Sequence, residues 1–239
     1  MIIYIAGGVK IMSMIYMAID KDINVHNKER QKWNARGVSD VRVDSMNEGI
    51  EKALTNQFFY IAINADNINY MPSLEILREA TNDPILIGAS NFTVDEQIQA
   101  INLGADFYGK FGEFDANINI ALAIVNKANE RGNWKKSTSS IISFGDILIS
   151  RDYHKAFIKE TEIFLNKTEM KVLSYFMVNR GRVLTYEQIS RELWPNEYGE
   201  ASFDALYNIM KRLRGKLRNS ADNKDYIENI RDIGYRLST

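Results

Sequence analysis

The sequence predicts two units in one chain: an α/β unit built on a parallel sheet, then a smaller unit of short strands, helices and a terminal hairpin. Three observations carry this. Short apolar runs alternate with amphipathic helical stretches through the first half. Charge changes sign along the chain: residues 1–130 hold 11 Lys/Arg against 17 Asp/Glu, a net of −6, and residues 131–239 hold 19 against 14, a net of +5. Between the halves, Asn129–Ser140 is polar and lacks apolar periodicity, as a linker does.

Composition removes several function classes. A chain of 239 residues, 45% hydrophobic and 26% charged, is not mostly disordered. No run reaches eighteen apolar residues, so no spanning helix is expected. The absence of Cys excludes disulfides, thiolate nucleophiles and Cys-ligated zinc. His26 and His154 form no short metal motif. The net charge of −1 is therefore an average over an acidic module and a basic one, the latter suited to nucleic acid.

In the first half, the strand-like runs are Met14–Ile19, Val41–Val43, Phe58–Ile63, Ile85–Ile87 and Phe107–Tyr108. Helical stretches lie between and after them: Met46–Leu54, Leu74–Ala80, Val94–Leu103 and Phe114–Ala128. In the last, Ile118, Ala121, Leu122 and Val125 mark one apolar face. Such alternation gives a parallel sheet covered by helices, and five units suit a flavodoxin-like doubly wound fold. Residues 1–13 fit this pattern poorly and are expected to be an N-terminal extension, with the first strand of the unit opening near Met14.

The stretch Gly104-Ala105-Asp106-Phe107-Tyr108, with Pro84-Ile85-Leu86-Ile87 and Leu74-Glu75-Ile76-Leu77-Arg78, resembles a response-regulator receiver domain of the CheY-like kind over residues 14–129. That resemblance implies an Asp phosphoacceptor after the third strand, two carboxylates holding Mg²⁺ after the first, a Thr/Ser after the fourth and a Lys near the fifth. The chemistry needs them, because Mg²⁺ takes carboxylate oxygens and a transferring phosphoryl needs nearby positive charge. The chain departs at each place. Ala65 falls at the acceptor position, flanked by Asn64 and Asp66; Ala89 falls at the Thr position, with Ser90 beside it. Asp20 matches the first carboxylate, but Lys21 takes the second place and Asp22 follows. Lys110 matches the Lys one residue early. The expectation is a degenerate receiver, free of phosphotransfer and of any cofactor. The alternative is phosphorylation by a histidine kinase at the shifted Asp66. The resemblance also implies a homodimer through the fourth helix, fifth strand and fifth helix, with Asp106 and Asn119 on that face.

In the second half, Ile141–Phe144, Ile147–Ile149 and Thr161–Phe164 read as short strands, and a helix runs from Thr168, as its cap, to Val178. Thr185 and Gln188 form a capping box opening the next helix, through Leu193. From Ala201 to Asn219, Leu206, Met210, Leu213 and Leu217 recur at four, three and four residues. Around that stripe lie Lys211, Arg212, Arg214, Lys216 and Arg218, a pattern suited to the DNA major groove and its phosphates. A hairpin, Tyr226–Leu237, closes the chain.

With Asn179-Arg180-Gly181-Arg182-Val183-Leu184-Thr185 and the terminal Ile230-Arg231-Asp232-Ile233-Gly234-Tyr235-Arg236, residues 141–239 resemble the OmpR/PhoB winged helix-turn-helix effector domain. The resemblance makes residues 201–219 the recognition helix. Asp204, Tyr207, Asn208 and Lys211 then face DNA, Arg212, Arg214 and Lys216 meet phosphates, and Arg231 in the wing reaches the minor groove or backbone. Asp204 stands where the family often has Arg, and Asp232 where it has Gly. RNA polymerase is an implied partner at the turn Asn196–Glu200. The reading is a cytoplasmic, dimeric, sequence-specific transcription regulator with double-stranded DNA as partner and no membrane role. An enzyme is disfavoured, because no strand leads into a Gly-rich phosphate loop and no metal cluster is present.

Overall fold

The computed structural model describes residues 3–5, 8–10, 14–22, 38–110, 140–195, 201–220 and 224–238, together with Ala123. The chain divides into two compact units, Met1–Thr138 and Ser139–Thr239. The expected helix Phe114–Ala128, Asn119 within it, linker residues 130–139 and the turn Asn196–Glu200 lie outside the described residues, apart from Ala123.

In the first unit, strands β1 (Ile3–Ile5) and β2 (Gly8–Lys10) pair antiparallel in a hairpin of their own. The main sheet holds β3 (Met14–Ile19), β4 (Val38–Val43), β5 (Ile61–Asn64), β6 (Ile85–Ala89) and β7 (Phe107–Lys110), all parallel. Its order is β4-β3-β5-β6-β7, the flavodoxin-like arrangement in which strand ends gather at one edge. Register aligns Met17 with Ile61 and Ile61 with Ile85, so alternate side chains stack in layers. Ile19, Ile63 and Ile87 bury one face, and Tyr16, Tyr60 and Leu86 bury the other. Burial on both faces is why these strands read as continuous apolar runs rather than alternating ones.

Helix α1 (Met46–Thr55) starts on Ser45, whose hydroxyl accepts the Glu48 N–H. It lies tight on the sheet: a Cβ on Gly49 would come 2.5 Å from Ile19 Cδ1. Helix α2 (Leu74–Ala80) buries Leu74, Ile76, Leu77 and Ala80. Helix α3 (Val94–Asn102) opens with a full capping box, Thr93 with Glu96. Strand β4 begins at Val38, three residues before the predicted start, and β5 begins at Ile61 rather than Phe58.

Among the described residues, the second unit holds two antiparallel sheets. The first, in the order β11-β10-β9-β8, holds β8 (Ile141–Phe144), β9 (Ile147–Ser150), β10 (Lys155–Ile158) and β11 (Thr161–Ile163). Strand β10 is absent from the sequence reading, because one short run behind a turn carries too little periodicity. Helix α4 (Lys167–Val178) is capped by Asn166, not Thr168: the Asn166 side chain accepts the Glu169 N–H, and the Glu169 carboxylate accepts the Asn166 N–H, both at 2.9 Å. Strand β12 (Val183–Thr185), helix α5 (Tyr186–Leu193) with its Thr185–Gln188 box, and helix α6 (Ala201–Asn219) follow. The hairpin β13 (Ile227–Ile230) and β14 (Gly234–Leu237) pairs with β12 in the order β12-β14-β13. Phe176, Leu206, Met210, Leu213 and Leu217 share one core with the sheet residues Phe157's neighbours Ala156 and Ile158.

Candidate nucleic-acid interface and receiver pocket

The apolar stripe of α6 is buried, with Leu206, Met210, Leu213 and Leu217 each at 1% exposure or less, and Ile209 joins it. This fixes the opposite face outward. Asp204, Tyr207, Asn208, Lys211 and Arg212 are all exposed on that side. Lys211 and Arg212 hold no ion pair among the described residues.

The other cations of α6 are committed to the protein. The Lys216 ammonium lies 2.7 Å from the buried Glu169 carboxylate and donates to the Phe164 carbonyl at 2.8 Å. Arg214 sits 3.8 Å from Asp225, and Arg218 Nε donates to the same carboxylate at 2.9 Å. Arg214 and Lys216, predicted on phosphates, thus spend their charge holding α6 to α4 and to the chain before β13.

Hydrogen bonding from Arg218 holds the Asp225 carboxyl below the usual range, and Arg236 does the same for Glu228 at 2.6 Å. Burial pushes Asp146 up, but hydrogen bonds from the Tyr226 hydroxyl and Lys224 outweigh it and leave the carboxyl lowered. Depressed carboxyls stabilise the fold above their unfolded values, and that contribution is lost as pH falls through the folded ones. The melting temperature of the second unit should therefore drop once pH falls below about 4.

In the wing, Arg231 and Asp232 are 95% and 90% exposed and stand 3.7 Å apart. Asp232 takes a left-handed backbone, φ 60°, a conformation that Gly adopts without strain. Asp232→Gly should therefore be tolerated without loss of stability. It should also tighten DNA binding and steepen its salt dependence by roughly one phosphate contact, because Arg231 loses its acidic neighbour. Filter-binding titrations at several salt concentrations measure both.

At the strand ends of the first unit, the structure brings together some predicted residues and separates others. Asn64 is buried, and its side-chain oxygen accepts the Asp66 N–H at 3.0 Å. Asp66 is exposed, and its carboxylate accepts Ser90 twice: from the backbone N–H at 2.9 Å and from the hydroxyl at 2.6 Å. Asp20 is buried and accepts the Asn67 amide at 2.7 Å and the Asp22 N–H at 2.8 Å. Asn67, which also accepts the Lys21 N–H at 3.3 Å, was not singled out from sequence, since nothing marks a loop Asn as a bridge. Lys21 and Asp22 are exposed; buried Ala89 is in register with Lys110, which is exposed at the end of β7.

The residues do not fit the Mg²⁺ site that the receiver resemblance implies. Lys21 stands in place of one carboxylate, and among the described residues no three acidic or His side chains are placed to hold a metal.

One expectation is corrected. Asp106 is not on a docking face: its side chain is 3% exposed, 3.0 Å from the Arg78 guanidinium, and it accepts the Ile85 N–H at 2.9 Å. A carboxylate at a strand edge reads as surface until its cation, 28 residues upstream, is known.

A family model described as "Transcriptional regulatory protein, C terminal" matches residues 160–237. The uncharacterized transcriptional regulatory protein YcbL of Bacillus subtilis is 30% identical over 176 residues, covering 71% of this chain and 75% of that protein. The alkaline phosphatase synthesis transcriptional regulatory protein PhoP of the same organism is 25% identical over 224 residues, 89% of each chain. The chain belongs to the OmpR/PhoB family of response regulators. Like other OmpR/PhoB members, it is a DNA-binding transcription regulator and not an enzyme. The OmpR/PhoB homologue DrrB of Thermotoga maritima aligns over 95% of this chain and all of its own, at 20% identity and a TM-score of 0.37. No helix among the described residues is long and apolar enough to cross a membrane.

Proposed function

We propose that this regulator binds DNA as a homodimer without phosphoryl transfer to its receiver unit. The observation that carries the proposal is the clasp at the strand ends. The Asp66 carboxylate already holds both the N–H and the hydroxyl of Ser90, and Asp20 already holds Asn67. The loops after β3, β5 and β6 are thereby joined by groups present in the chain itself. On the DNA side, Asn208 reads a base, Tyr207 meets a thymine methyl or a phosphate, and Lys211, Arg212 and the wing's Arg231 supply phosphate affinity. Arg214 and Lys216 act at one remove, by holding the recognition helix.

A second reading has specific support: several relatives are named as response regulators, and Asp66 is an exposed carboxylate 2.6 Å from the Ser90 hydroxyl. In that reading a histidine kinase phosphorylates Asp66. Incubation with a small phosphodonor and Mg²⁺, followed by intact-mass measurement, separates the two. No adduct is expected; a gain of about 80 Da that Asp66→Ala removes would establish the second reading.

Dimerisation has an apolar candidate face on α3, where Val94, Ile98 and Ile101 are 68%, 53% and 42% exposed at helical spacing. Replacing Ile98 with Asp should convert the dimer to a monomer in sedimentation equilibrium while leaving the fold intact. An unchanged mass would place the dimer seam elsewhere.

A further inference from the structure

Beside the Asp66–Ser90 clasp lies a pocket of about 460 Å³, between the loop after β5 and the start of α3. We propose that it binds a small organic ammonium ion carrying a short apolar group. The inference rests on the phosphate-independent reading above, since it makes the ligand, not a phosphoryl group, the input to the receiver unit.

The lining sets the chemistry. Asp66 and Glu96 line the pocket together with Asn69, Asn91, Tyr70 and Tyr108, and no Lys, Arg or His is among the described lining. The Tyr70 and Tyr108 ring centroids are 6.3 Å apart at 46°, and Phe92 packs edge-on against Tyr108 at 5.0 Å. The two carboxylates attract a cation by direct charge, and the buried Tyr70 and Tyr108 add aromatic surface to the lining. An anion would meet two like charges with nothing to offset them. A wholly apolar guest would strip water from carboxylates and amides without replacing their hydrogen bonds.

The carboxylates retain acceptor capacity. Glu96 uses one oxygen, Oε2, for the Thr93 N–H and hydroxyl. The Asp66 carboxylate bonds only Ser90 among the hydrogen bonds described, and an ionised carboxylate offers about four acceptor sites. An ammonium placed on Asp66 competes with the Ser90 hydroxyl for the same oxygens. Occupancy of the pocket therefore acts directly on the clasp that joins β5 to β6.

Isothermal titration of the full chain with 2-phenylethylammonium and with choline tests this, with 3-phenylpropionate as an anion of similar size. One of the two cations should bind saturably with a Kd of about 1 mM or tighter, and the anion should give no saturable heat. Glu96→Gln keeps a side chain able to complete the capping box but removes the charge, and should raise Kd at least about fivefold. Asn91→Asp adds a charge to the lining and should lower Kd by about twofold or more, while Glu51→Gln in α1 should leave it unchanged. Absence of binding by both cations, equal binding of the anion, or indifference to both pocket substitutions would overturn the proposal. The phosphodonor experiment stays separate: absent binding with no adduct removes the ammonium site alone, whereas an adduct on Asp66 removes the reading beneath it.

Discussion

Replacing Gly234 with alanine should abolish DNA binding and remove most of the stability of the second unit. Gly234 opens β14 and pairs with both Thr185 and Ile230, so it is the point where the wing joins β12. An added Cβ would lie 2.0 Å from the Leu184 carbonyl oxygen and 2.8 Å from Thr185 Cα. Both are backbone atoms, so no side-chain rotation relieves the overlap. Either β14 separates from β12 or α5 shifts with its N-cap, Thr185. A loss of more than about 3 kcal/mol is expected, a large part of the margin of a domain this size. Two other glycines calibrate the measurement. Gly181 has a φ of 74° but open space around it, so Gly181→Ala should cost only about 1–2 kcal/mol of backbone strain. Gly215 lies inside α6 with nothing near its missing Cβ, so Gly215→Ala should gain roughly 0.5–1 kcal/mol of helix propensity. Thermal melts of the three variants should rank in that order, and a mild Gly234→Ala would contradict the packing at the wing.

The second large effect separates two kinds of cation on one helix. Lys216→Met should lower stability by about 1–3 kcal/mol, because it leaves the Glu169 carboxylate, 1% exposed, without its cation. The loss stays below that of a fully buried pair because the Lys216 side chain is 41% exposed. Asn166 still donates to Glu169, so the cap should survive in part. DNA affinity of the folded protein should change little. Arg212→Ala should do the reverse, with an unchanged melting temperature, weaker binding to every duplex and a shallower salt dependence. If Lys216→Met leaves the melt unchanged and weakens DNA binding, its ammonium belongs to phosphate and not to Glu169.

These two cations mark how far the sequence could be read. The stripe Leu206, Met210, Leu213 and Leu217 was legible because periodicity alone decides which face of a long helix is buried. The Thr185–Gln188 box was legible for a similar reason, since both partners lie three residues apart. What the five basic residues do was not legible. Lys211 and Arg212 stay outward, but Lys216 turns to a partner 47 residues away and Arg218 to Asp225, and nothing local announces those pairings. Asp106 failed in the same way, its Arg78 lying in another element. At the receiver strand ends, the meeting of the Asp66 carboxylate with the Ser90 hydroxyl was not legible either, because it joins two loops 24 residues apart.

The alternation of runs and helices was enough for the parallel sheet, while β10 and the Asn166 cap were lost to short, weakly patterned segments. Long-range electrostatic pairing, unlike element type, leaves no local trace in the sequence.

The unphosphorylated chain should recognise specific DNA. Selection from a random duplex library, using protein whose intact mass shows no phosphoryl adduct, tests it most directly. Enrichment of two related half-sites about one helical turn apart is expected, with Asn208→Ala relaxing preference at one position in each. No enrichment until a phosphodonor is added would contradict it.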